Sequence, residues 1–324
     1  MTIVLDENKA REFLKEQKIN NCTIVKIAGD ASFRSYYRIS DEAQKSFILM
    51  FAPPKYEDVK PFINIDEFLV DSGFSAPKIY AQDEKNGFLL LEDFDDETYG
   101  RVLAKDNSSE EEIYQKAIDC LIELHKKDLP KNVANYNCDL LFREVMLFVD
   151  WYLKFEKKIE LSFEQKKRFK HLWFDLFDQM NQSDKCLVLR DYHADNLMIL
   201  KGRQGFKSVG LLDFQDAVIG SKAYDLVSLL EDARRDVGEG LAQKMLLYYI
   251  ENAKVEKEAL IRDYEILSLQ RNIKIIGIFS RLAWRDKKQD YLKLLPRVKK
   301  YVVARISCEN KSLSEISHFL KEFV

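Results

Sequence analysis

The chain has 324 residues, 51 Lys and Arg against 54 Asp and Glu, a net charge of -3 and an apolar fraction of 46%. That balance argues against a dedicated nucleic-acid binder, and 11 Gly with 6 Pro are too few for collagen-like, linker-rich or turn-dense all-β chains. No run approaches the roughly 20 apolar residues of a membrane span, and the first residues lack the basic-then-apolar pattern of a secretory signal.

Residues Glu7 to Gln17 have helical spacing, with Ala10, Phe13 and Leu14 on one face. Three short strands follow at Cys22–Ile27, Phe33–Ile39 and Ser46–Phe51, the first two separated by the turn signal Gly29-Asp30-Ala31-Ser32. Pro53-Pro54 ends the third strand, since proline cannot donate to a ladder. A helix is predicted from Val59 to Asp71, then strands at Lys78–Gln82 and Gly87–Asp93. Ser109-Glu110-Glu111-Glu112 reads as a capping box opening a helix that Pro130 closes, and further amphipathic helices are predicted over Leu140–Glu156 and Phe163–Met180. Strands then interrupt at Cys186–Leu189, Leu197–Leu200 and Val209–Leu212, and helices resume from Ala223. The order predicts an α+β fold in two lobes: a small antiparallel β-lobe over 1–94 and a mainly helical lobe over 95–324 carrying a strand insertion. A cleft between lobes is the expected ligand site.

Chemistry concentrates in 187–225, LVLRDYHADNLMILKGRQGFKSVGLLDFQDAVIGSKAYD. Asp191 and Asn196 stand in an Asp-x4-Asn loop between two predicted strands, and Asp213 ends the next strand beside Phe214. Phosphoryl transfer from magnesium-ATP needs such a set. One carboxylate orients the acceptor hydroxyl and takes its proton, while an amide oxygen and a second carboxylate suit hard Mg2+. The spacing is that of the catalytic and metal loops of kinase-like folds. The plainer alternative is that these Asp residues cap or turn the chain. The five cysteines are odd in number, far apart and without a CxxC pair, so they read as reduced thiols of a cytoplasmic protein rather than a zinc site.

The sequence resembles the aminoglycoside phosphotransferase and choline kinase family, small-molecule kinases with a protein-kinase-like two-lobed fold. The matching segments are GDASFRSYYRI (29–39), FILMFAPPKYEDVKPF (47–62), GFLLLEDFDDETY (87–99), LVLRDYHADNLM (187–198), LLDFQDAVIGSKAYDLVSLLEDARRDV (211–237) and GIFSRLAWRDKKQDYLKLLPRV (277–298). LLDFQDA and the RLAWRD…LPRV tail are most similar to the bacterial cell-wall amino-sugar kinases, which phosphorylate the anomeric hydroxyl of N-acetylmuramate and N-acetylglucosamine in peptidoglycan recycling. The resemblance implies Asp191 as catalytic base, Asn196 and Asp213 as magnesium ligands, and Asp225 as an anchor of the catalytic loop. It implies that Gly29 to Arg34, with Ser32, Phe33 and Arg34, covers the ATP phosphates, though a plain hairpin turn is the alternative there. It implies an N-terminal lobe that binds nucleotide, with the Leu89–Phe94 hinge, including Leu91 and Asp93, receiving adenine on its backbone.

Two departures stand out. Leu189 occupies the position where the family usually has histidine. Met50 stands near the position of the strand lysine that pairs with the ATP phosphates, leaving Arg34, Arg38 or Lys55 as substitutes, Arg34 first, and Glu67 without a lysine partner. Gln215 and Asp216 are candidate sugar contacts or simple turn residues. Arg281, Arg285, Lys287 and Lys288 either form a solvated helix face or meet a muramate carboxylate, with Arg285 the substrate candidate. His193 is a second base or a loop-structuring residue, His125 a buried hydrogen-bonded histidine, and Trp151, Tyr152, Trp173 and Trp284 are helical core or sugar-stacking residues. The expected activity is an ATP- and Mg2+-dependent sugar kinase, monomeric, acting on a small sugar, with no nucleic-acid or membrane partner. Alternatives are a kinase for an amino alcohol or aminoglycoside, and an inactive nucleotide-binding protein.

Overall fold

Asp6 accepts the Lys9 N–H at 3.3 Å and opens α1 (Glu7–Glu16). In this computed structural model, which describes residues 5–28, 33–181, 183–307 and 313–324, α1 lays Ala10, Phe13 and Leu14 on an antiparallel sheet. The sheet comprises β1 (Cys22–Ala28), β2 (Ser35–Asp41), β3 (Ser46–Phe51), β4 (Ile79–Asp83) and β5 (Phe88–Glu92), ordered β1-β2-β3-β5-β4, with α2 (Lys60–Asp71) between β3 and β4. Alternation explains the core. Tyr37, Ile39, Phe47, Leu49, Phe51, Phe88 and Leu90 point to one face and bury against Phe13 and Leu14.

The remaining elements are α3 (Tyr99–Lys105), α4 (Glu110–Leu124), α5 (Cys138–Leu147), α6 (Phe163–Phe177), β6 (Lys185–Val188), β7 (Leu197–Ile199), β8 (Val209–Leu211), β9 (Val218–Ser221), α7 (Ala223–Leu230), α8 (Glu239–Ala253), α9 (Lys257–Trp284), α10 (Leu295–Ser307) and α11 (Ser314–Leu320). The predicted helix Leu140–Glu156 is two elements, because α5 widens into a π-helix over Phe148–Lys157 that Lys158 ends in the left-handed region at φ 58°. The Ser109 capping box does not form. Ser109 sits at φ -102°, ψ 16°, away from the extended conformation that turns a cap side chain toward the third residue, and makes no cap bond. The capping box is instead at Ser162 and Gln165.

Two compact units emerge, residues 1–102 with 196–216, and residues 103–195 with 217–324. The β7–β8 ribbon therefore counts with the sheet rather than with the helices that flank it in sequence. Backbone bonds fix this: Leu211 N–H to Ser75 O at 2.8 Å and Ile199 N–H to Glu97 O at 2.9 Å. The second unit pairs β6 with β9 and packs its helices around α9. Gly277 is what lets α9 close on the α5–π-helix junction, since a Cβ there would lie 2.3 Å from the Leu147 carbonyl carbon. Among the described residues four cysteines are free thiols, and no helix is long and apolar enough to cross a membrane.

Candidate active site

The Asp191 loop leaves β6 and is held by a buried carboxylate on α7. Asp225 accepts the N–H of Leu189 at 2.6 Å and of Arg190 at 2.9 Å. Ser228, one helical turn on, donates to the Arg190 carbonyl at 3.1 Å. Arg190 is thereby kept at φ 71°, a left-handed conformation that a side chain disfavours and that a well-braced loop can maintain. Its guanidinium bonds Glu144 of α5, which also takes Lys274 Nζ at 3.1 Å, the Tyr136 hydroxyl and Gln270 Nε2 at 3.3 Å. Burial raises the Glu144 carboxyl, but Lys274 and then Arg190 hold it below its ordinary range.

Asp191 sits in a charged surround. Burial pushes its carboxyl up, and the opposing charges of Lys274, Arg271 and Arg190, joined by His193 when that ring is protonated, outweigh burial and leave it low. It stays ionised at neutral pH, as an acceptor of a hydroxyl proton must. His193 is buried, with Arg234 Nη1 at 3.1 Å from its Nε2, and desolvation lowers its pKa. A neutral ring accepting from Arg234, whose own Nε lies 3.8 Å from Asp195, acts as a loop brace. Burial pushes Asp225 up to about 7 against the two N–H groups it accepts.

On the β7–β8 ribbon, Leu197 pairs with Leu211, and Leu212 N–H bonds Asn196 O at 3.0 Å. The ladder thus sets Asn196 beside the Leu212–Asp213 turn, with Asp213 at φ 57°. Phe214 is buried against Phe62 of α2, ring centroids 4.9 Å apart. Gln215 Nε2 donates to Asp213 Oδ1 at 2.9 Å and reaches Asp216 Oδ2 at 3.4 Å, so both candidate sugar contacts engage the candidate metal residue's turn. Arg34 Nη2 lies 3.6 Å from Asp213 Oδ1. An amide oxygen just before β7 and a carboxylate just after its partner β8 are hard donors that suit Mg2+, which normally takes one or two protein ligands and fills its shell with water and phosphate oxygens.

Of the other expected nucleotide residues, Ser32 and the Gly29–Ala31 turn lie outside the described residues. Phe33 donates its N–H to Glu57 at 3.2 Å and stacks on Tyr56 at 4.8 Å. Leu91 is buried inside the sheet, paired with Ile48 and Ile79. The Asp93 side chain is occupied by Arg38 at 2.7 Å, Ser46 and the Asp95 N–H at 2.9 Å. Arg38, also bonded to Asp96 at 2.8 Å, is therefore a cross-link of this segment. Met50 is fully buried. Arg285 is half exposed and makes a two-point pair with Asp286 at 2.8 and 2.9 Å. His125 is buried on Tyr249 at 2.7 Å, and burial drops its pKa to about 3. Trp173 is buried between Phe169 and Phe177, and Trp151 stacks on Phe155, which meets Trp284.

Sequence reading missed Glu144, Arg271 and Lys274. The available signal for the last two was the polar run Ser268-Leu269-Gln270-Arg271-Asn272-Ile273-Lys274 just ahead of the apolar stretch Ile275-Ile276-Gly277-Ile278-Phe279, and 268–274 are all buried. Arg271 and Lys274, three residues apart, share a helix face.

The profile of the phosphotransferase enzyme family matches residues 23–260. The chain belongs to that family. Within it, the chain is 35% identical over 302 residues to the N-acetylmuramate/N-acetylglucosamine kinase of Pseudomonas putida, covering 91% of this chain and 86% of that one. It is 30% identical to the protein of the same name from Caulobacter vibrioides, covering 100% and 98%. Among solved structures it is similar to the ADP-bound aminoglycoside phosphotransferase APH(2'')-Ib (TM-score 0.59, 19% identity, 92% and 99% covered) and to the choline kinase LicA from Streptococcus pneumoniae (TM-score 0.64, 13% identity, 92% and 99% covered). The phosphotransferase thus has the protein-kinase-like fold, with an antiparallel sheet region and a mainly helical remainder.

Proposed function

We propose that the protein is an ATP-dependent kinase for the anomeric hydroxyl of N-acetylmuramate and N-acetylglucosamine. The observation that carries this reading is the similarity to kinases of that name at 30 to 35% identity over more than nine-tenths of this chain. Asp191 orients the acceptor hydroxyl and takes its proton, for which its ionised state suits it. Asn196 and Asp213 hold Mg2+, which when bound supplies charge neutralisation on the transferring phosphoryl group. Arg34 stands in for the strand lysine absent at Met50, and the β-rich segment binds the nucleotide. Asp225, Ser228 and Glu144 keep the Asp191 loop in place, so that positioning rather than covalent chemistry provides the acceleration. The free thiols and the substrate fit a cytoplasmic enzyme of cell-wall recycling.

The cations grouped about Asp191 disfavour an amino alcohol or aminoglycoside, whose ammonium groups they repel. The complete set Asp191, Asn196 and Asp213 disfavours an inactive nucleotide binder. The test is ADP release with Mg-ATP and, separately, N-acetylglucosamine, N-acetylmuramate, choline, ethanolamine and an aminoglycoside, with 31P NMR of the products. An anomeric phosphate from the two N-acetyl sugars is expected. Turnover confined to choline, ethanolamine or the aminoglycoside would overturn the reading.

A further inference from the structure

Three cations of the helical unit act electrostatically on Asp191, the buried Lys274 and Arg271 and the partly buried Arg190. Two of them share one carboxylate at contact distance. Lys274 and Arg190 both bond Glu144, and Lys274 also donates to the Tyr224 hydroxyl at 3.1 Å. Arg271 differs. It is only 4% exposed, its Nη2 donates to the neutral Ser228 hydroxyl at 2.8 Å, and its Nη1 is buried with no hydrogen-bond partner. Among the described residues no carboxylate lies within ion-pair distance of it. Asp191 and Asp225 act on this guanidinium only through longer-range attraction, so one of its N–H groups is buried without a hydrogen bond, a cost that an occupant would relieve. Its place is informative. Through Ser228, which bonds the Arg190 carbonyl at 3.1 Å, the guanidinium is two hydrogen bonds from the residue preceding Asp191.

We infer that Arg271 is an acceptor-binding residue whose Nη1 receives the 2-acetamido carbonyl oxygen of the sugar while Asp191 receives the anomeric hydroxyl. The inference rests on the sugar-kinase reading above and adds the specificity contact to it. The acetamido nitrogen sits on the carbon next to the reacting one and carries the carbonyl, so adjacent protein groups meet adjacent substrate groups. The lactyl carboxylate of a muramate hangs one carbon further on. A donor-only cation at this point donates to a carbonyl oxygen and repels the ammonium of an unacetylated amino sugar.

The experiment compares Arg271→Gln and Arg271→Lys with the unmodified protein on N-acetylglucosamine, N-acetylmuramate and glucosamine, with Tm measured for each. Losing one charge-assisted hydrogen bond should lower kcat/KM by about 10- to 100-fold for both N-acetyl sugars alike. KM for ATP should stay within about twofold, the preference over glucosamine should shrink, and Arg271→Lys should fall between. A loss on N-acetylmuramate alone assigns Arg271 to the lactyl carboxylate and overturns the inference, as does a rise in KM for ATP equal to that for sugar. Should Arg271→Gln fail to fold, the lysine variant carries the same comparison. Absence of turnover by the unmodified protein on either N-acetyl sugar defeats the sugar-kinase reading itself; normal turnover with unaltered Arg271 variants defeats only this contact.

Discussion

Arg34 Nη2 stands 3.6 Å from Asp213 Oδ1, joining the start of β2 to the turn after β8. The Arg34 side chain is 11% exposed and that of Asp213 34%, so the pair is only partly screened. It brings a cation to the residue expected to hold magnesium, in a sheet whose third strand offers methionine where a lysine is usual. The pair itself is worth about 1 kcal/mol or less to the fold, because Asp213 remains substantially hydrated. Arg34→Met should therefore leave Tm nearly unchanged while raising KM for ATP by about tenfold or more, the equivalent of ~1.4 kcal/mol of lost phosphate contact. Steady-state kinetics at saturating sugar check this. An unchanged KM for ATP would remove Arg34 from the nucleotide site.

Asp191→Asn should lower kcat by about 10²- to 10⁴-fold, the usual contribution of a positioned base, with KM for ATP preserved. The pH profile offers a second readout. The cations around Asp191 keep its carboxyl below the ordinary range, so its ionised form persists as pH falls and no acid limb from this group appears at or above pH 5. A kcat that declines between pH 7 and 5 while the protein stays folded would contradict that assignment.

Asn196→Ala removes one of two hard donors from the ribbon without touching the Leu212–Asn196 backbone bond. The Mg2+ concentration for half-maximal rate should rise several-fold, with the melting curve unmoved. A magnesium titration at fixed ATP measures it.

Asp66 on α2 is buried with Oδ2 unbonded, and burial, helped by the charges of Glu67 and Glu92, pushes its carboxyl up to about 8. A folded-state pKa above the unfolded one means the group's contribution is fully present below about pH 4 and is lost as pH rises toward 8. Asp66→Asn abolishes that loss. Its Tm advantage over the unmodified protein should grow from pH 5 to pH 8 and then level off. Equal shifts at pH 5 and pH 8 would exclude a titrating Asp66.

Gly277→Ala puts a methyl group 2.3 to 2.6 Å from backbone atoms of Leu147 and Phe148, none of which is a flexible side-chain end. Separating α9 from the π-helix junction should cost about 1–3 kcal/mol and lower Tm by several degrees. Because Arg271 and Lys274 ride on the same helix, kcat/KM for sugar should fall further than KM for ATP changes.

The candidate catalytic and metal residues could be proposed from the sequence because their spacing is local. Asp191 and Asn196 share one loop, and Asp213 follows the next apolar run, so strand alternation and turn chemistry suffice to set them out. The same locality made the sheet strands readable, Ser46–Phe51 to the residue, from their β-branched and aromatic content. It failed for β9, whose four residues are too few to show alternation, and for the widening of α5 into a π-helix, which depends on the packing of α9 against it.

What the chain order by itself determined was the family and the order of a sheet region before a mainly helical remainder, and it supplied the oxygen-bearing residues proposed for phosphoryl transfer. Only the folded structure decided that 196–216 packs with the sheet, that Arg34 faces Asp213, that Asp225 and Glu144 brace the Asp191 loop, and that Arg271 is buried beside it with a donor to spare. The reason is physical. Local pattern fixes which face of a helix or strand is apolar, whereas the burial and partnering of a charged side chain are set by elements far away in sequence. Glu144 and Lys274, 130 positions apart, meet only after α5 and α9 have packed.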